Sequence, residues 1–297
     1  MPVVGEQIGI TLDRIILATD YSPAAEKAAG YARGLAKRFT SSLTLANVVN
    51  LSAATRAEDA AAGLPLDSMR QASAENQELL LIDMTSAGVR TTAHTMESHN
   101  PSSSLVGFAK ELRADLIVTG TNARHGLSKA LLGSCSEGII RHADCPVLTV
   151  GPKARAARPG ALSFQRIVFA TDFSPEAARQ AAVAFGLAKD GLGKIYICHV
   201  LKKPGKDILD TFSMELQFES ALENLVPRAA YEWCDPECIV ESGEVASHIL
   251  SLASRVGADL IVLGAKHSAT WFAHLVDGTV GEVLKSATCP VLTVGEK

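Results

Sequence analysis

Three places in the first half of the chain carry residue types that suit a phosphorylated ligand: Thr19-Asp20, Gly120 and Gly133-Ser134. Glycine lets a backbone come close to a ligand, and the free amides at a helix N-terminus favour anions. Each residue also has a plainer role. Ser134 suits a helix N-cap, Gly120 can turn the chain after a strand, and Asp20 can be an exposed acid stabilised by a helix dipole. None of them alone points to a nucleotide.

The elements that must position these residues occur twice. RIILATDYSP from Arg14 returns as RIVFATDFSP from Arg166, and RADLIVTG from Arg113 returns as GADLIVLG from Gly257. CPVLTVG closes both halves, at Cys145 and Cys289. Order and spacing are kept, so the chain is a duplicated domain of roughly 140 residues rather than an array of short repeats. The expected division is residues 1–152, a linker over 153–163, and residues 164–297.

Each copy opens on an apolar, β-branched run, 15–18 and 167–170. Runs that are apolar at every position predict parallel strands covered on both faces. Ser22-Pro23 and Ser174-Pro175 follow as helix-start signals, leading into alanine-rich helices. Further strands are expected at 43–49, 89–95, 116–119 and 146–150, with counterparts at 195–200, 238–241, 260–263 and 290–294. The long polar stretches between the second and third strands carry helical periodicity. Met69, Ala72, Leu79 and Leu80 fit one helical face, and Phe212, Leu216, Leu222 and Leu225 fit its counterpart. Shorter helices are expected near 104–112 and 246–256. Ser134-Cys135-Ser136-Glu137 and Thr279-Val280-Gly281-Glu282 match a capping box ahead of the last helices. The reading is α/β: two tandem Rossmann-like domains, each an open parallel sheet with helices on both faces. In such a sheet ligands bind outside the carboxyl ends of the strands, where strand order reverses. Thr19-Asp20, Gly120 and Gly133-Ser134 are all expected there.

Composition narrows the function classes. The net charge is −4, and residues 1–152 and 164–297 are each acidic, so a nucleic-acid surface is disfavoured. The linker's three basic residues are too few to hold DNA against physiological salt. No stretch reads as a membrane span or secretion signal, and the six cysteines form no export or metal pattern; a reducing, cytoplasmic location is expected. His267 and His274 share a loop at a spacing that matches no standard metal set. There is no G-x-S-x-G elbow and no full Walker sequence, so a dedicated enzyme is not expected.

Residues 120–134 and 140–150, together with the ATDYSP opening, resemble the signature of the universal stress protein family. The resemblance covers nearly the whole chain as two tandem domains. It implies a five-stranded parallel sheet in each, a stress-response regulatory or protective role and, in ATP-binding members, a nucleotide held by a G-x-x-G pair and a later Gly-Ser/Thr. Carried over by position, Asp20 would face the ribose or a metal such as Mg²⁺ on the phosphates. The backbone near Val48 would meet adenine, and Gly120, Gly133, Ser134 and the amide of Cys135 would surround the phosphates. Ala123 stands where the second glycine belongs. With negative φ it adds only a methyl group; in a left-handed conformation it costs about 1–2 kcal/mol, enough to weaken binding up to roughly thirtyfold. The second copy keeps Asp172, Val200, Gly264, Gly278 and Thr279 at matching positions, but His267 replaces the second glycine and the loop is one residue longer. A degenerate or differently liganded site is expected there. The alternatives are a member that binds no nucleotide and works through partners, and an ATP-using enzyme of the related α/β superfamily, whose HxGH or SGGxDS motif is missing.

Family members commonly pair through their final strands, and the apolar runs 146–150 and 290–294 are nearly identical. An unpaired apolar edge is a liability that pairing removes. The expectation is an intramolecular pseudo-dimer of the two domains, with dimerisation of whole chains a further option. Light scattering tests it. The separated domains, mixed, should associate with each other; domains that stay monomeric would remove the pseudo-dimer.

Overall fold

A computed structural model describes residues 9–52, 66–121, 133–202, 208–265 and 278–295. The chain divides into two compact units. The first-repeat unit comprises Thr11–Pro152 and Ala156–Leu162, and the second is built mainly from Ser163–Glu296, with Lys153–Arg155.

In the first-repeat unit the strands are β1 Arg14–Ala18, β2 Ser42–Asn50, β3 Arg90–Ser98, β4 Leu116–Gly120 and β5 Val147–Val150. The helices are α1 Pro23–Phe39, α2 Leu66–Ser86, α3 Pro101–Glu111 and α4 Ser134–His142. The strands lie parallel in the order β3-β2-β1-β4-β5. Ile15 is in register with Leu43 on one side and Leu116 on the other. The run 15–18 is apolar throughout because β1 is central: its last four residues are all buried. Strand order reverses between β1 and β4. Right-handed crossovers then put α1 and α2 on one face and α3 and α4 on the other.

The second-repeat unit repeats this plan with β6 Arg166–Ala170, β7 Lys194–Leu201, β8 Glu237–Ser242, β9 Leu260–Ala265 and β10 Val291–Gly295. Its helices are α5 Ala177–Gly191, α6 Ile208–Glu223, α7 Val245–Val256 and α8 Thr279–Ser286. Its strand order is β8-β7-β6-β9-β10, again parallel. The α/β reading with five parallel strands per domain therefore holds. Among the described residues no helix is long and apolar enough to cross a membrane.

One repeated motif has a structural purpose. The Asp115 carboxylate accepts the Arg14 amide at 2.8 Å, and Asp259 accepts the amides of Gln165 and Arg166 at 2.8 and 3.1 Å. The aspartate of each ADLIV run thus caps the start of the neighbouring central strand, whose first amides lack a ladder partner.

Three local expectations differ from the structure. The helix after Ser174-Pro175 starts at Ala177, because Ala177 first closes a turn onto the Ser174 carbonyl. Helix α2 buries Ser73 and Met84, leaving Leu79 68% exposed. On α6, Phe212 and Leu216 are exposed, while Leu222 and the following Leu225 are buried. Periodicity marks both as helices, but the face that packs is chosen by the sheet beneath.

Glycines within helices report how tightly the layers meet. On α1 a Cβ at Gly34 would lie 2.7 Å from the Leu162 Cβ, and the Leu162 amide donates to the Gly34 carbonyl at 3.0 Å. On α3 a Cβ at Gly107 meets nothing within 4 Å among the described residues. Alanine favours a helix interior over glycine by ~0.5–1 kcal/mol, whereas overpacking costs ~1–3 kcal/mol. Gly107→Ala should therefore raise the unfolding temperature and Gly34→Ala should lower it. Thermal denaturation of the two variants checks the sign of each.

Candidate functional site

A cavity of about 440 Å³ opens at the carboxyl ends of β1, β2 and β4, where the strand order reverses. Small-molecule sites span roughly 300–1,000 Å³. Asp20, Val48, Gly120, Gly133, Ser134 and Cys135 all line it, so the fold brings together every expected first-copy residue that is described. Ala123 lies outside the described residues.

The first wall is the turn from β1 into α1. Thr19 Oγ1 accepts the Tyr21 amide at 3.0 Å, Asp20 Oδ1 accepts the Ser22 amide at 3.0 Å, and Ser22 Oγ caps α1 through the Ala25 amide at 3.3 Å. These bonds hold Tyr21 at φ +59°, a left-handed conformation that costs a non-glycine residue ~1–3 kcal/mol. The second copy builds the same turn: Thr171 and Asp172 accept the Phe173 and Ser174 amides at 3.1 and 3.0 Å, with Phe173 at φ +57°. The aspartate of ATDxSP is therefore a turn former in both units, and its carboxylate also lines each cavity.

The two glycines of the first cavity differ in kind. A Cβ at Gly120 would lie 2.3 Å from the Ala24 carbonyl oxygen, so the first turn of α1 itself demands glycine there. At Gly133 an added Cβ would meet no atom of the described residues closer than 3.8 Å, and φ is an ordinary −61°. Neither the packing of the described residues nor the backbone conformation asks for glycine at position 133.

Gly133, not Ser134, is the N-cap of α4, and no side chain caps the helix. The expected capping box does not form. Ser134 is one residue inside the helix, and Glu137 pairs with Arg141 instead. Among the described residues no side chain accepts the first amides of α4, which border the cavity, and a helix start of this kind suits an anion by dipole and by hydrogen-bond demand. Two bonds fix this helix start. Ser136 Oγ donates to the Gly120 carbonyl at 2.9 Å, and the Gly133 amide donates to Thr121 Oγ1 at 3.3 Å. Burial and the nearby Asp20 carboxylate push the Cys135 thiol up to about 11, so it stays protonated at neutral pH.

The reading from sequence missed Asn47 and Leu105. Asn47, 6% exposed, donates to the Thr19 carbonyl at 2.8 Å and accepts Ser73 Oγ at 2.7 Å, locking β1, β2 and α2 below the cavity. A buried-strand asparagine at the carboxyl end of β2 was the available signal. Leu105 of α3 supplies an apolar wall, and no motif marks it.

The second-repeat unit holds a cavity of about 420 Å³ in the equivalent place, lined by Asp172, Val200, Gly264, Gly278 and Thr279. His267 and His274 lie outside the described residues. Gly278 is the N-cap of α8 and again no side chain caps it, so Thr279, like Ser134, sits inside the helix and its capping box does not form. Gly264 faces Gln180, 2% exposed, whose amide nitrogen would be 2.5 Å from an added Cβ. Where the first unit has Thr121 and Ser136 to tie the helix start, this unit has Ala265 and Gly281. Among the described residues no group of three metal-ligating side chains occurs in either unit.

A profile of the family described as the universal stress protein family matches residues 11–151 and again 163–295. A putative universal stress protein of Staphylococcus aureus is 36% identical over 145 residues, covering 48% of this chain and 85% of that protein. Among solved structures, a universal stress protein from Archaeoglobus fulgidus superposes with a TM-score of 0.76 at 19% identity, covering 98% of both chains. A putative universal stress protein from Pseudomonas aeruginosa gives 0.62 at 16% identity over 96% of this chain and 93% of that one. At these identities the superpositions speak to the fold.

The two glycines generate a paired prediction. Gly120→Ala forces a methyl group into backbone and should cost ~3 kcal/mol or more, about 6–12 °C in unfolding temperature. Gly133→Ala exchanges one tolerated N-cap for a poorer one and should cost under ~1 kcal/mol. Calorimetry showing equal losses would remove the distinction between them.

Proposed function

The chain belongs to the universal stress protein family as two tandem copies of its domain, and on that premise we propose that the first copy binds ATP and that the protein is a stress-response regulatory or protective factor. The observation that carries the nucleotide reading is Gly133 at the start of α4: among the described residues no neighbour demands this glycine and no side chain caps the helix, in a cavity of about 440 Å³. Phosphate oxygens would answer both features. Charge-assisted hydrogen bonds contribute roughly 1.5–3 kcal/mol each, and the helix dipole adds ~0.3–1 kcal/mol.

The residues also suit the rest of the ligand. Val48 and Asn50 line the wall given by β2, with backbone and amide groups for an adenine edge, and Leu105 offers an apolar face. Asp20 lines the same cavity as Cys135, and its charge acts on that thiol. A lone carboxylate there would repel phosphates unless it bonds a ribose hydroxyl or shares a divalent cation with them. The residues fit Mg²⁺ only as a partner of the nucleotide, with Asp20 as one ligand and phosphate oxygens supplying others. Bound so, the cation would neutralise phosphate charge.

The second copy is proposed not to hold ATP in this pose. It has lost the hydroxyls of Thr119, Thr121 and Ser136 to Leu263, Ala265 and Gly281, and with them the side-chain ties that shape the phosphate end of the first cavity.

Isothermal titration of the full chain with ATP should give one site per chain. Gly133→Val should abolish that binding with little change in thermal unfolding, and Ala123→Gly should tighten it. Unchanged affinity in Gly133→Val would overturn the site, and two equivalent sites would overturn the asymmetry.

A further inference from the structure

The cavity of the second-repeat unit is as large as the first, about 420 Å³, yet its lining has changed character rather than collapsed. Position for position, Leu263 stands for Thr119, Val280 for Cys135 and Ile249 for Leu105, and all six line their cavities. Leu263 and Val280 are 4% and 5% exposed, so they form a packed apolar floor. The wall behind Val200 is stiffened as well. His199 replaces Asn47, keeps its bond by taking the Thr171 carbonyl at 2.8 Å, and stacks on Phe218 at 4.6 Å between ring centroids. A cavity that had merely lost its ligand would gain nothing from an ordered apolar lining of this kind.

The charge has moved too. Lys202 lines this cavity where the first unit has the neutral Asn50, and among the described residues it has no acidic partner. Asp172 occupies the position of Asp20 and lines this cavity just after β6. An acid group beside it would meet a carboxylate, whereas at the end of β7 it meets an ammonium. Among the described residues that line the cavity, Lys202 is the one lysine or arginine.

We propose that the second cavity binds a small organic acid with an apolar body, its carboxylate on Lys202 and its hydrocarbon against Val200, Ile249, Leu263 and Val280. The inference rests on the reading that this cavity does not hold ATP. Burying apolar surface drives the association, and the single charge pair orients the ligand. The tandem chain is then a two-input protein, with a nucleotide in one copy and an apolar acid in the other.

The probes are octanoate and octanol, matched in chain length and differing in the acid group, titrated by calorimetry into the full chain saturated with ATP and Mg²⁺. Octanoate should bind at one site per chain with ATP present, and octanol roughly tenfold more weakly. Lys202→Met, at an exposed position, should fold normally and abolish the preference for the acid while leaving ATP binding intact. Phe212→Ser, on the exposed apolar stripe of α6, should change nothing. The proposal is overturned if octanoate shows no saturable binding at millimolar concentration, if Lys202→Met binds it as before, if Phe212→Ser removes it, or if ATP displaces it. Failure of ATP to bind at the first copy shows separately, in the titration without octanoate.

Discussion

The close approach of the first helix to the central strands governs this architecture. After β1 the chain must reverse within a few residues and lay α1 across the sheet. Side-chain oxygens of Thr19 and Asp20 accept the amides that the reversal strands, and Tyr21 accepts a left-handed conformation as the result. The turn then presses the Ala24 carbonyl onto β4 so tightly that Gly120 cannot carry a side chain. From that contact follow the mouth of the cavity and the place of Asp20 beside it. Strain at a ligand-binding end is a familiar compromise, persisting only because the surrounding bonds over-determine it.

The same constraint, relaxed, accounts for the second unit. Its turn after β6 keeps the threonine and aspartate bonds, but Ser174 does not cap the helix as Ser22 does, α5 begins only at Ala177, and the space over Gly264 is taken by the Gln180 side chain. Duplication thus preserved the scaffold while freeing the lining to diverge. The scaffold residues, Asp115 and Asp259 among them, answer backbone amides and cannot change without leaving a donor unpaired. Several lining positions are less constrained, and there the copies part: hydroxyls in one, aliphatic side chains and a lysine in the other.

Repeated motifs therefore carry two meanings that spacing alone cannot separate. ATDxSP reads as ligand chemistry, yet its threonine and aspartate build a turn in both units. Gly120 and Gly133 look alike in the sequence, but one is demanded by protein packing and the other by none of its described neighbours. Ser134 reads as a cap, yet the chain enters α4 one residue earlier, so its hydroxyl is not committed to capping.

By itself the sequence determined what depends on local pattern and on repetition: the duplication, the parallel strands marked by unbroken apolar runs, the helices, and the residues that gather at the strand ends. Those are properties of neighbouring residues and of covering by layers, which leave their period in the chain. The tertiary structure decided which face of α2 and α6 is buried, that Asn47 locks the floor beneath the cavity, and that close packing against Ala24 demands Gly120. Each of these depends on atoms brought within contact distance by residues far apart in sequence, and no period or motif records such a distance.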